Sequence, residues 1–213
     1  MATNGRKIQL DFAPIAQDMR IVFMNGIWND FKSARESAFY LSNLAGGYNI
    51  HGVHNATHGK IADLRECGLG LQHRATDPVR QLHKMWDNFF ENSSPNAKLL
   101  MICHSQGAIH TRNALLTYPP HLRERIFVLA VAPGAYIHKE TCGGVIHYRT
   151  KKWYRDIVPR FDRRGAKRER DTIVGLDSHP DAAFFDHEFQ SPTYQRHIRK
   201  HLLNYIINQG QSL

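Results

Sequence analysis

The segment Met101-Ile102-Cys103-His104-Ser105-Gln106-Gly107-Ala108 sets a serine between a continuous apolar run and a stretch of small residues. A serine on a tight turn between a buried strand and a helix is the setting of a nucleophile elbow, G-x-S-x-G. The turn lifts the hydroxyl to the carboxyl edge of a sheet. The N–H of the next residue, Gln106, then lies at a helix start, where it can stabilise an oxyanion. Small neighbours are needed because a bulky side chain would meet the adjacent strand or helix, and Gly107 and Ala108 supply them on one side. Cys103 stands where the motif has its first glycine, so the strand spacing or the turn is expected to differ slightly. Cys103 belongs to the strand, and its apolar neighbours do nothing to lower a thiol pKa, so it is not expected to be the nucleophile. The plain alternative for the whole segment is an ordinary polar strand-to-helix turn.

A serine hydroxyl is a weak nucleophile until a base takes its proton, and the base needs an acid to hold its ring. In an elbow fold the chain order is serine, acid, histidine. Downstream of Ser105, Trp153-Tyr154-Arg155-Asp156-Ile157-Val158-Pro159 follows a short apolar stretch, Val145 to Tyr148. Asp156 therefore lies beyond a strand's carboxyl end, where the acid belongs. Asp162 and Asp177 are rivals. Asp162 sits inside a basic cluster and is expected to make surface ion pairs, while Asp177 follows the next strand candidate. For the base, Phe184-Phe185-Asp186-His187-Glu188-Phe189 precedes the final helix, and its aromatic residues would anchor the loop. His187 is the candidate and His179 the rival. His104, beside the serine, is expected to line the pocket or contact substrate.

The second oxyanion donor normally comes from the loop after an earlier strand. Asn25-Gly26-Ile27 occupies that place, with Gly26 turning the backbone and the Ile27 N–H aimed at the same oxygen as that of Gln106. Asn25, Gly26 and Trp28 are then expected to line the acyl or leaving-group side; otherwise Gly26 is only a strand-to-helix turn. A metal site is a competing arrangement. His51, His54 and His58 are spaced H-x2-H-x3-H, with Asp63 and His73 following, and zinc favours such ligands. Within one strand, however, His51 and His54 would face opposite sides, and no cysteine pair supports the site. Neither a metal nor a cofactor is expected.

Stepping along the chain, short apolar runs alternate with helical periods, the pattern of an α/β fold. Strands are expected at Ile8 to Phe12, Ile21 to Met24, Tyr48 to Val53, Leu99 to Cys103, Ile126 to Ala132, Val145 to Tyr148 and Thr172 to Leu176. Asp30 is placed to cap a helix whose apolar face is Phe31, Ala34, Ala38, Leu41 and Ala45, ended by Gly46-Gly47. Thr76 is placed to cap a second, carrying Val79, Leu82, Trp86 and Phe89 or Phe90, before a loop from Asn92 to Asn96. A third runs from Gln106 to about Thr117, ended by Tyr118-Pro119-Pro120, and the last from about Pro192 to Asn208. These elements fit a mainly parallel sheet with helices on both faces.

The composition agrees with one ordinary globular domain of 213 residues, 42% hydrophobic and 22% charged. A chain of this size buries roughly two thirds or more of its unfolded surface and needs no disulfide or metal to fold. No stretch approaches the ~20 apolar residues of a membrane span. The cysteines Cys67, Cys103 and Cys142 are too few and odd in number for a disulfide framework, and the start of the chain lacks the pattern of a cleavable secretory signal. A reducing, cytoplasmic compartment is the expectation, with export by another route as the alternative. The net charge of +9 is local: residues 149–170 hold ten Lys and Arg against Asp156, Asp162 and Glu169. Such a cluster is either a solvated loop or an attractor of anionic lipid, nucleic acid or an acidic substrate.

From Ile21 to about Tyr205 these residues resemble the α/β-hydrolase superfamily, in particular its small lipase- and esterase-like serine hydrolases. A single α/β-hydrolase-like domain is expected over residues 1–213, with a basic insert at about 149–170. The resemblance implies a Ser105–Asp156–His187 triad, an oxyanion hole at Ile27 and Gln106, and an acyl-enzyme hydrolysed by water. The substrate it implies is a small-molecule or lipid-like carboxylic ester, with thioesters and amides as extensions. The stretches Tyr48 to Gly59 and Met101 to Ala108 are also similar to a chlamydial protein family of unknown function, which brings no known substrate. Cys103 and the basic insert depart from the wider pattern. The stretch between Ala132 and Val145 is short, so no large cap domain is expected, and the serine is open or covered only by Asp63 to Arg74 or the basic loop. The competing class is a non-catalytic binding module that keeps the fold, leaves Ser105 unactivated and uses its basic surface for anionic membrane or nucleic acid.

Overall fold

The computed structural model describes residues 7–8, 17–26, 31–53 and 76–210. In chain order the elements are β1 (Lys7–Ile8), β2 (Met19–Met24), α1 (Phe31–Leu44), β3 (His51–Val53), α2 (Asp77–Glu91) and β4 (Lys98–His104). There follow α3 (Gln106–Thr117), α4 (Pro120–Arg123), β5 (Ile126–Val131), β6 (Gly144–Thr150), α5 (Arg163–Arg168), β7 (Ile173–Leu176) and α6 (Pro192–Ile207). The strands form one sheet in the order β1-β3-β2-β4-β5-β6-β7. All neighbours are parallel except β1, which runs antiparallel to β3 at the edge.

Strand alternation decides the layering. Ile21, Phe23, Leu100 and Ile102 pack into one core, and Val22, Met24, Leu99, Met101 and Cys103 into the other. Strands that are apolar on both sides must be covered on both. α1 closes the first core with Ala34, Ala38 and Leu41, and α6 adds Tyr194, Ile198, Leu202 and Tyr205. α2 closes the second with Leu82, Trp86 and Phe89, and α3 adds Ala108, Ala114 and Leu115. Residues 132–143 link β5 to β6 directly, so no large cap domain is inserted there.

The ends of the elements follow local chemistry. α1 stops where Gly46 and Gly47 take φ of +78° and +88°, a region that side chains avoid. α3 stops at Thr117 because Tyr118, ahead of Pro119, is driven to extended backbone (φ −89°, ψ 149°). Thr76 sits at the N-cap of α2 without a side-chain capping bond. Pro78 removes one of the N–H groups such a cap would engage. The expected strand from Tyr48 shortens to His51–Val53. Of the expected Ile8 to Phe12 strand, Ile8 lies in β1 and the remainder falls outside the described residues, as does Asp30.

The basic stretch folds differently from a solvated loop. It begins inside β6, turns through Val158–Arg160 and forms α5. Asp162, expected to make surface ion pairs, is buried. It accepts bonds from Gly165 N (2.8 Å) and Tyr136 N (3.0 Å), and it lies 3.6 Å from Arg112 Nη1. Its carboxylate caps α5, and a Cβ on Gly165 would collide with it. Glu169 is also buried, accepting from Lys139 N at 3.1 Å, and burial raises its pKa.

Candidate active site

Ser105 follows β4 directly and precedes α3 directly. Its backbone is held at φ 54°, ψ −124°, left-handed territory for a residue with a side chain. Such strain persists only where the surroundings fix it. Here Ser105 N donates to Val131 O (3.2 Å), while Ser105 O accepts from Ala108 N (3.1 Å) and Gly134 N (2.8 Å). Two close approaches leave no space for other residues. A Cβ on Gly107 would lie 2.5 Å from Met24 O, and one on Gly26 would lie 2.7 Å from Ser105 Cβ and 3.3 Å from its hydroxyl. Cys103 is accommodated beside a small register neighbour, Ala130 of β5, and its thiol is fully buried and pushed up to about 12 by burial.

The Ser105 hydroxyl lies 2.9 Å from His187 Nε2. His187 Nδ1 lies 2.9 Å from Asp156 Oδ2. Three groups, one directly after β4 and two on the loops that follow β6 and β7, thus form one hydrogen-bonded row at the carboxyl edge of the sheet. Asp156 is buried, and its other oxygen, Oδ1, accepts from Val158 N at 3.0 Å. Both carboxylate oxygens are therefore occupied, one by the backbone of its own turn and one by the imidazole.

The loop that carries His187 is fastened by Asp186, which sequence reasoning did not single out. The buried Asp186 carboxylate accepts from Ser191 Oγ (2.5 Å) and Thr193 Oγ1 (2.6 Å) at the start of α6. Its N–H donates to Arg155 O (2.7 Å), tying the His187 loop to the Asp156 loop, and its carbonyl accepts from Tyr194 OH (3.2 Å). Burial, together with the Asp156 and Asp186 charges, raises the Tyr194 phenol. The signal was present as Ser191-Pro192-Thr193, a helix cap a few residues beyond an aspartate.

The other expected residues fall as follows. His104 is buried against His187, with ring centroids 4.9 Å apart. Asn25 is buried, its Nδ2 donating to Gly26 O at 2.7 Å. Gln106 is the buried first residue of α3. Ile27 and Trp28 lie outside the described residues, as do His54, His58, Asp63 and His73 of the suggested metal set; His51 begins β3. Asp177 is exposed and pairs with Lys151 at 2.6 Å, and His179 lies 3.5 Å from Asp181. Neither is joined to Ser105.

The fold has counterparts among solved structures. Esterase E25 superposes with a TM-score of 0.56 at 10% identity, covering 96% of this chain and 78% of that one. Carboxyl esterase 2 from the mycorrhizal fungus Tuber melanosporum gives 0.53 at 10%, covering 97% and 88%. Est1E from Butyrivibrio proteoclasticus gives 0.51 at 9%, covering 97% and 99%. The likeness at these identities is one of fold, and the fold is that of the α/β hydrolases. No curated protein sequence matches the chain. A family model does match, over residues 9–212, and the chain belongs to that family, described as a protein family of unknown function (DUF687).

Proposed function

We propose that the protein is a serine hydrolase that cleaves a carboxylic ester through an acyl-enzyme, with thioesters and amides as extensions. The observation that carries this is the row Ser105 Oγ–His187 Nε2–Asp156 Oδ2, each step 2.9 Å, with its serine on a strained strand-to-helix turn. His187 takes the Ser105 proton as Oγ attacks the substrate carbonyl carbon. Asp156 holds the ring with Nδ1 protonated and stabilises the imidazolium that forms. The negative charge on the carbonyl oxygen is met by the N–H of Gln106, at the start of α3, and by that of Ile27. The tetrahedral adduct collapses, the alcohol leaves with the proton from His187, and water then hydrolyses the acyl-serine by the same steps in reverse.

Hydrolysis of p-nitrophenyl esters of increasing chain length tests this. Ser105→Ala and His187→Ala are each expected to lower kcat/KM by on the order of 10⁴ or more while leaving the fold intact. Equal activity in wild type and Ser105→Ala would contradict it. A folded wild type without activity on any ester would favour the non-catalytic module.

A further inference from the structure

Among the described residues, eight large apolar side chains are exposed, and five of them lie on the two loops that carry Asp156 and His187. These are Trp153 (63% exposed), Tyr154, Ile157, Phe184 (74%) and Phe185. Three of them form a connected row, Trp153–Tyr154–Phe184, and Phe185 stands against His187. Trp153 meets Tyr154 edge-on at 6.1 Å, Tyr154 stacks on Phe184 at 6.4 Å, and Phe185 lies 5.8 Å from the His187 ring. A contiguous apolar patch of this kind, set in polar surroundings, marks an interaction surface.

The surroundings are cationic to a degree the composition understates. The three carboxylates of the basic stretch, Asp156, Asp162 and Glu169, are all buried, whereas none of its ten Lys and Arg is. Burying only the acids leaves the cations facing water. The exposed Asp177 offsets Lys151 alone. Arg160 Nη2 donates to Lys151 O at 2.9 Å, which fixes a guanidinium beside the aromatic loop. Next to it a cavity of about 360 Å³ is lined by Arg149, Arg160, Arg163 and Ala166. No carboxylate among the described residues pairs with any of these three arginines. Guanidinium groups left in this state suit the oxygens of a phosphate.

We propose that this rim docks the protein on an anionic phospholipid surface. Trp153, Tyr154, Ile157 and Phe184 enter the interface, and Lys152, Arg149, Arg160 and Arg163 meet the headgroup phosphates. Trp and Tyr are the side chains that favour that depth, with an apolar ring and a polar edge, and lysines and arginines beside them add attraction to anionic lipid. The docking proposed is peripheral, through side chains on loops and β6, and no helix among the described residues is long and apolar enough to cross a membrane. The docking itself does not depend on Ser105 being a nucleophile. Resting on the function proposed above, it implies that the ester is taken from the lipid phase.

Sedimentation with large vesicles tests the docking, using wild type and Ser105→Ala in parallel so that loss of catalysis is not mistaken for loss of binding. Both proteins should sediment with equal parts phosphatidylcholine and phosphatidylglycerol, should sediment weakly with phosphatidylcholine alone, and should be released by salt. Trp153→Ala with Phe184→Ala should weaken partitioning at least about tenfold. Lys152→Glu with Arg163→Glu should weaken it at least about thirtyfold. The four side chains replaced in the double variants are exposed, and circular dichroism checks that every variant is folded. Failure of folded wild type to bind the anionic vesicles overturns the proposal, as does binding that neither double variant weakens. Tight binding to an oligonucleotide that is lost in the charge variant and kept in the aromatic one, without vesicle binding, would assign the surface to nucleic acid instead.

Discussion

The imidazole of His104 donates its Nε2–H to the backbone carbonyl of His187 at 2.7 Å. The residue before the serine therefore holds the backbone of the histidine that faces the serine. His104 is buried, and burial, followed by the neighbouring His187 charge, lowers its pKa to about 3. It stays neutral over the working range, and the carbonyl it faces selects the tautomer that carries the proton on Nε2.

Removing that donor should loosen the row. His104→Phe leaves the part-buried His187 carbonyl without its protein partner, at a cost of about 1 kcal/mol in stability. Ester turnover should fall about 10–100-fold in kcat with little change in KM. His104→Gln, which keeps an N–H, should recover part of the loss. Steady-state kinetics alongside urea unfolding would show this, and wild-type kcat in His104→Phe would remove His104 from any positioning role.

Asp156→Asn separates charge from shape. The amide oxygen can still accept from Val158 N, but then the amide nitrogen faces His187 Nδ1 and imposes the wrong tautomer. A loss of about 10⁴ in kcat is expected, because the imidazole is then held with its proton on the wrong nitrogen. Asp177→Asn, at an exposed ion pair, should leave turnover unchanged. Comparable rates for the two variants would show that Asp156 is not the acid.

Gly26→Ala probes the space in front of the serine. The added methyl would sit 3.3 Å from the Ser105 hydroxyl and closer still to its Cβ, so the serine or the loop must shift. A small displacement of reacting groups can cost about 10²-fold in rate. The expected signature is a loss of that order in serine reactivity in a protein that still folds, with a stability loss of about 1–3 kcal/mol from the overpacked contact. Unchanged reactivity would mean that the loop yields freely and Gly26 is only a turn.

Acid sensitivity should trace to buried histidines. Burial lowers His104 and His147 to about 3 and His110 to about 4, from 6.5. Between those values the unfolded chain binds protons that the folded chain refuses, so stability rises with pH in that window. It is complete above pH 6.5 and is lost as pH falls towards 4. Urea midpoints at pH 7 and pH 5 should fall less for His110→Leu than for wild type. An equal fall in both would exclude His110 as a source.

The parts that could be read from the sequence were those written in local pattern. Leu99 to Cys103 declares a strand covered on both sides, Gly46-Gly47 a helix end, and the small residues after Ser105 a tight packing turn. The order of Ser105, Asp156 and His187 behind successive strands was enough to nominate them. What escaped depends on residues distant in the chain. Asp162 looks like a surface ion-pair partner beside Arg160, Arg163 and Arg164, but Tyr136 and Arg112 arrive from other elements and bury it. Asp186 looks like a flank of His187, yet it is the knot that joins two loops and a helix start. Burial of all three acids in the basic stretch is invisible to a count of charges.

The most direct measurement is covalent. Incubation with a fluorophosphonate followed by intact-mass analysis and peptide mapping should show one phosphonyl group, on Ser105, with no label on Ser105→Ala and strongly slowed labelling of His187→Ala. Wild-type protein that is folded and unlabelled, or labelled at the same rate when His187 is absent, would contradict a serine activated by that histidine.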